Sequence, residues 1–537
     1  VRFKYSPDSV KVGAFISFIA GMTALFLAGL YLWRFFYRAG DDASTVQRVA
    51  KNSIAPIVLN LFNRSIDLAF AALMARILGP VGNGQYAWAI NVYLWFDIIA
   101  NFGLDVYLVR EAAREPACAR NVFFNTTILR LFLFAAAAPA LGGFLLAWQG
   151  IDGALNAPSI WALVLLYLGL LPGTIANGLT ALFRACEKHE FPAAIQTVTT
   201  IIKVTLGVLA LVGGFGFVGV AGATIFTNAT TMTILAILAR RWLWAGPARL
   251  PEGPVRLQRP LLREMLVVSW PLMLSLLLQV LFPGVNVLLL KPLQGDAAVG
   301  WYDAGYKWIS ALNIIPAFFT VAVFPVMSRQ AAQNRAGLMT SYRLSSKLLT
   351  MISLPAAVLI TLLANVLVGV LSGGQFLPHG AIALQILVWS VVFGWLNSLT
   401  NYVLIALDRQ RYVLLASGAR VVFAIAANLL FVRAFSYVAS ASVIVAGEAL
   451  LFALFDTDLR RQLGAVGWGP LLWRTGLAAL VMGGVLAGVA AFNPALALLS
   501  GLVVYPLALF LLRAITPAEW AALAPLLPGR LRRWVSA

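Results

Sequence analysis

Asn60, Asn63, Arg64 and Asp67 recur at i, i+3, i+4 and i+7 within an otherwise apolar run. On a helix that spacing draws a single polar stripe, and Leu59, Phe62, Ile66, Phe70 and Leu73 cover the other side. Asp97, Asn101 and Asp105 repeat the pattern at i, i+4 and i+8. Further on, Ser275, Gln279 and Asn286 stripe one apolar segment, and Asp303, Lys307 and Ser310 stripe the next. Lys203 and Glu448 sit near the middles of their segments, and Arg130 and Arg420 toward one end of theirs. Such charges must either pair with one another or face a wet interior. The carboxyls Asp67, Asp97 and Glu448 have a second use. Burial and a neighbouring cation pull a carboxyl's proton affinity in opposite directions, so such a group could be protonated from one side and released later.

The elements that position these residues follow from composition. Of 537 residues, 61% are hydrophobic and 11% charged, less than half the charge of a soluble domain at about 25%. The apolar residues fall in blocks of about 20, the length of a helix that crosses about 30 Å of hydrocarbon. Blocks this long and continuous predict an all-α membrane bundle and not a barrel of strands. Fifteen spans are expected, from 12–33 and 53–75 through to 471–492 and 495–513. In such a setting a charge facing lipid costs roughly 2.5–3.5 kcal/mol, so Arg64, Asp67, Asp97, Lys203 and Glu448 together would cost about 12–17 kcal/mol. That equals the whole stability of an ordinary protein, about 5–15 kcal/mol. The stripes therefore line an interior. A dry packing network with Arg64 on Asp67 or Asp97 would satisfy any one of these residues. A water-filled cavity between two halves explains the whole set.

The net charge of +19 is accounted for by topology. Loops on one side hold 28 of the 39 basic residues, the opposite loops six, and the spans five. By the positive-inside rule the rich side is cytoplasmic, which puts the C-terminus inside and makes nucleic acid unnecessary as a partner. An internal echo divides the chain. Ala55-Pro56 precedes GQYAWA at Gly84, and Trp270-Pro271 precedes GWYDAG at Gly300; CEKHEF at 186–191 echoes LDRQRY at 407–412 more weakly. The expected organisation is an appended N-terminal transmembrane helix and linker at 1–45, a six-helix half at 46–240, a cytoplasmic linker at 241–264 and a second six-helix half at 265–460. Two extra transmembrane helices and an interfacial tail, a short helix from Thr516, complete it at 461–537. Parallel repeats of this kind place a substrate near the bilayer midplane, where the halves meet.

Other chemistries find no support. Cys118 and Cys186 are too few for a disulfide framework or a cysteine metal site, and His189 and His379 fall on opposite faces. No catalytic residues, metal set or cofactor are expected. GPVGNGQY and GGFGFVGVAG lack the strand-then-helix setting of a nucleotide loop and predict tight turns between spans. The acidic pair of a membrane glycosyltransferase and the outer domain of a polymerase are not visible.

ARILGPVGNGQYAWA, followed by DIIANFGLDVYLVREAAR, resembles the opening of Wzx-type polysaccharide flippases, members of the MOP exporter superfamily. The resemblance extends over about 46–513 and is densest at about 75–115. It implies two six-helix bundles that open alternately to each side, and the fourteen spans from 53 onward match the polysaccharide branch better than the twelve of MATE exporters. The first span, VRFKYSPDSVKVGAFISFIAG, is instead similar to the last membrane helix of YfhO-like proteins. The implied function is to flip an undecaprenyl-pyrophosphate-linked oligosaccharide across the cytoplasmic membrane for envelope polysaccharide assembly. A MurJ-like lipid II flippase, a MATE-like small-molecule exporter and a membrane enzyme of polysaccharide synthesis are the alternatives. Membrane lipid and other polysaccharide-assembly proteins are the implied partners beside the substrate. In this frame Arg64, Lys203, Lys307, Arg130 and Arg420 would form a cationic cavity for the pyrophosphate, since guanidinium binds phosphate in a two-pronged geometry. Asp67, Asp97 and Glu448 are the candidate ion-coupling acids.

Overall fold

The computed structural model describes residues 45–150, 155–188, 190–245, 250–251, 254–490, 494–514 and 516. The expected first span at 12–33, the appended segment it belongs to, His189 and the interfacial helix beyond Thr516 lie outside these residues. Among the described residues every regular element is helical. Apolar helices are what lipid permits, because every backbone donor and acceptor is then satisfied inside its own segment.

Among the described residues, ten stretches are long and apolar enough to cross a membrane. Three of the helices in them run two together across a bend: Thr45–Asn101 at Gly79 (φ 69°), which enters the stretch Leu59–Arg114, Arg259–Leu312 at Gly295 (φ 84°), within Arg259–Gln333, and Gln410–Leu463 at Ser436 (φ 52°). Ten is thus a number of continuous stretches, not of crossings. Glycine reaches the left-handed region without steric cost. At GPVGNGQY the expected multi-residue turn shrinks to Gly79 alone, because the next residue, Pro80, has its φ preset for a helical first turn. A second interruption at Phe102 and Gly103 (φ 51° and 70°) separates Thr45–Asn101 from Leu104–Arg114.

The chain forms two compact units. Of the described residues, one holds those up to Met74, in Phe96–Ala147 and in Ala157–Met273. There the Ala157–Ala185 helix lies close against Gly216–Ala239, with the Asn228 side-chain amide donating to the Gly169 carbonyl at 2.9 Å. A buried cluster including Leu104, Leu108, Leu182, Phe183, Leu235 and Met265 closes the end that carries the basic loops. The linker is not loose where it is described. Asn121 and Asn125, one turn apart, clamp its backbone: Asn121 Oδ1 accepts from the Arg256 amide at 3.0 Å, and Asn125 Nδ2 donates to the Arg256 carbonyl at 2.9 Å. Asn125 Oδ1 also accepts from the Gln258 amide at 3.0 Å.

The other unit holds the described residues of Ala75–Trp95, of Trp148–Asn156 and from Leu274 onward. It therefore takes in a stretch of the first repeat, and a pair of glycines explains how. A Cβ on Gly84 would lie 1.9 Å from the Asp296 carbonyl oxygen, and one on Gly300 would lie 2.0 Å from that of Pro80. Pro80 to Asp296 and Gly84 to Gly300 are both offsets of 216 residues. The contact is reciprocal, the three-dimensional form of the echo in the sequence. Around it Asn83 donates to Asp303 at 2.9 Å and Gln85 to Asp296 at 2.8 Å. The last two described helices, Trp468–Ala490 and Pro494–Leu511, share a buried seam of Met482, Leu486 and Tyr505 against Leu354 and Val358 of Arg335–Ser372. The Tyr505 hydroxyl fixes this seam by donating to the Met351 carbonyl at 2.8 Å.

Candidate functional site

In the first unit the polar stripe opens onto a cleft of about 530 Å³. Asn60, Asn63, Arg64 and Asp67 all line it. Thr180 and Arg184 enter from the Ala157–Ala185 helix, Gln196 from Glu190–Val212 and Thr231 from Gly216–Ala239. Arg64 and Arg184 are both exposed. Among the described residues neither has a carboxylate or a hydrogen-bond acceptor as partner. Asn63 is buried, and its Oδ1 has no hydrogen-bond partner. A buried acceptor without a donor is costly, so the cleft offers a place for a donor from outside the chain.

Asp67 is held by Lys203, whose ammonium donates to Oδ1. The packing network considered above, with Arg64 on Asp67 or Asp97, is not what forms: Lys203 reaches Asp67 from a neighbouring helix and leaves Arg64 open. The two side chains of the pair are 37% and 42% exposed, so the pair contributes no more than about 1 kcal/mol and can be exchanged. Asp97 accepts from Asn101 Nδ2 at 2.9 Å.

Arg130 stands apart from the cleft. It is 1% exposed, pairs with Asp105 and donates to the Thr174 carbonyl at 3.2 Å. A Cβ on Gly178 would lie 2.3 Å from its Nη1, so that glycine makes room for the guanidinium. An arginine seated this way holds helices together. Removing Asp105 would strand a buried charge at a cost of about 3–5 kcal/mol.

The second unit has a smaller pocket of about 210 Å³ lined by Gln279, Tyr306, Asn313, Arg420 and Glu448 among others. Arg420 pairs with Glu448 at 2.8 Å and lies 4.0 Å from the Phe282 ring centroid, a cation–π contact. Asn397 Nδ2 donates to the other carboxylate oxygen at 2.7 Å. Lys307 pairs with Asp303 at 2.9 Å, and Asn83 bridges both, accepting from Lys307 at 2.8 Å. Of the five cations expected to bind substrate, then, Lys203, Lys307, Arg130 and Arg420 each carry a carboxylate partner, and Arg64 has none among the described residues. Sequence reasoning missed Arg184, which it counted among the loop charges that set topology. The signal that could have found it was its i+4 spacing from Thr180 on a helical face.

Residues 49–331 match the profile of the family described as polysaccharide biosynthesis protein, and residues 271–430 match that of MatE. No curated protein matches the chain. Among solved structures, the lipid II flippase MurJ in an inward closed conformation superposes with a TM-score of 0.67 at 13% identity, covering 85% of this chain and 98% of that one. An inward-facing multidrug resistance MATE transporter of the MOP superfamily gives 0.54 at 19% identity, over 76% and 95%. A MOP superfamily transporter from Pyrococcus furiosus gives 0.53 at 17%, over 78% and 96%. At these identities the likeness is one of fold: this is the all-helical MOP transporter fold.

Proposed function

This chain belongs to the polysaccharide biosynthesis protein family, and on that premise we propose that it flips an undecaprenyl-pyrophosphate-linked oligosaccharide from the cytoplasmic to the outer leaflet of the cytoplasmic membrane by alternating access. One observation supports the reading: the first unit's cleft presents two arginines, Arg64 and Arg184, and among the described residues neither has a carboxylate on it. A guanidinium binds phosphate oxygens through two parallel hydrogen bonds, and the amide-rich lining of Asn60, Asn63 and Gln196 suits sugar hydroxyls. Lys203 is a second-line cation, available if phosphate displaces Asp67. Arg420, Lys307 and Arg130 act in this reading through their own ion pairs.

The test uses the purified chain in proteoliposomes with fluorescent lipid-linked oligosaccharide in one leaflet. Translocation of that lipid is the expected result. Transport of organic cations with no movement of the lipid would overturn the proposal in favour of a MATE-like exporter. Lipid II belongs in the same assay, because the structurally similar MurJ is named for it and it carries the same pyrophosphate linkage.

Energy coupling is assigned to Asp67. Phosphate that takes Lys203 frees the carboxylate, which then accepts a proton and returns it when the substrate leaves. Wild-type flipping is expected to respond to an imposed pH gradient, and Asp67→Asn to flip without that response. A wild type indifferent to the gradient would sink the assignment. Asp97 and Glu448 are weaker candidates, held by Asn101 and by Arg420 with Asn397 respectively.

A further inference from the structure

Where the clamped linker turns into the Arg259–Leu312 helix, a second feature of the first unit is left over by the transport reading. A shallow cleft of about 570 Å³ runs along the helix, lined by Arg259, Pro260, Arg263, Glu264, Val267 and Val268. The first two turns are basic and the third is apolar. Arg259 and Arg263 are both exposed and, among the described residues, neither has a partner. The one acid in the lining, Glu264, is engaged by the Tyr107 hydroxyl, which donates to it at 3.1 Å. Val267 is 61% exposed and Val268 40%. Trp270, one turn beyond Val267, is 48% exposed and extends the apolar face. The backbone just before the helix is held by Asn121 and Asn125, so this surface is presented by fixed main chain.

We propose that this cleft is a docking site for an anionic phospholipid, with its phosphate on Arg259 and Arg263 and the start of its acyl chains along Val267 and Val268. Charge complementarity decides the headgroup. Two unpaired guanidiniums against one engaged carboxylate leave the cleft positive, and basic residues at the head of a membrane span attract anionic lipid. The order of the residues decides the rest. A free phosphate has no use for two exposed valines and a tryptophan one to two turns further along the same helix, whereas a lipid matches polar head to apolar tail in that sequence. The helix continues into a stretch that is apolar and long enough to cross the membrane, so the apolar end of the cleft points where acyl chains lie.

The experiment uses the full chain in detergent. Native mass spectrometry compares retention of phosphatidylglycerol with that of phosphatidylcholine for wild type and for Arg259→Gln/Arg263→Gln. The double variant is expected to lose about tenfold or more of its phosphatidylglycerol preference, while Arg335→Gln, at another exposed arginine, keeps it. A second readout locates the tail. Phosphatidylglycerol with brominated acyl chains should quench the part of the fluorescence that Trp270→Phe removes. Unchanged preference in the double variant overturns the proposal, as does full displacement of the lipid by inorganic phosphate at equal concentration. Loss of preference with no quenching of Trp270 overturns the placement of the tail.

Discussion

Arg64→Ala is expected to abolish glycan export while leaving the protein at its normal level in the membrane. The side chain is exposed within the cleft and, among the described residues, has no partner in the fold, so its removal breaks no internal ion pair. On the proposed function, what is lost is a contact made only when substrate arrives. A hydrogen bond to a charged group contributes about 1.5–3 kcal/mol, so a two-pronged contact corresponds to a roughly hundredfold or greater loss of transport. Arg64→Lys keeps the charge but not the planar fork and should recover only part. The measurement is surface glycan set against immunoblotted membrane protein. Normal export by Arg64→Ala would remove the residue on which the cleft reading depends.

Gly84→Ala should act by the opposite route, on the fold and not on the substrate. Its Cβ would sit 1.9 Å from a main-chain oxygen, that of Asp296. Backbone cannot swing aside as a side chain can, so the cost should reach the upper end of overpacking, about 3 kcal/mol or more. Gly300→Ala meets the Pro80 oxygen at 2.0 Å and should be as severe. The double variant should be little worse than either single one, because both break the same contact. Gly142→Ala, with nothing within 4 Å, is the control and should raise helix stability by up to about 1 kcal/mol. Thermal unfolding in detergent measures all four. A Gly84→Ala protein as stable as wild type would mean that the close approach is not made.

Much of the site could be read from spacing alone. Asn60, Asn63, Arg64 and Asp67 were expected on one face, and all four line one cleft. Periodicity reports which way a side chain points from its own helix. It carries no information about the neighbour's rotation, which decides who meets whom. That is why Lys203, 136 residues away, and not Arg64, holds Asp67, and why Arg130 vanished into a dry seat beside Gly178. Arg184 was hidden for another reason: at a helix end, a charge that fixes topology and a charge that lines a cleft look the same in sequence. The echo between Gly84 and Gly300 has a physical ground, because glycine is hard to replace where two backbones touch. The bends at Gly79 and Gly295 follow from the same residue, while the one at Ser436 has no such signature.

The glycines also differ in how they let the sequence drift. At Gly178 an added methyl meets the tip of Arg130, and at Gly207 it meets the ring of Phe70 at 2.5 Å. Each such change can be answered by trimming the partner, so two loci can move as a pair along a mutational path. At Gly84 and Gly300 the obstacle is a carbonyl that every residue type carries. No substitution elsewhere supplies the missing space, and the two positions have no partner with which to covary. Descendants of this chain are free to rewrite their ion pairs long before they can rewrite that crossing.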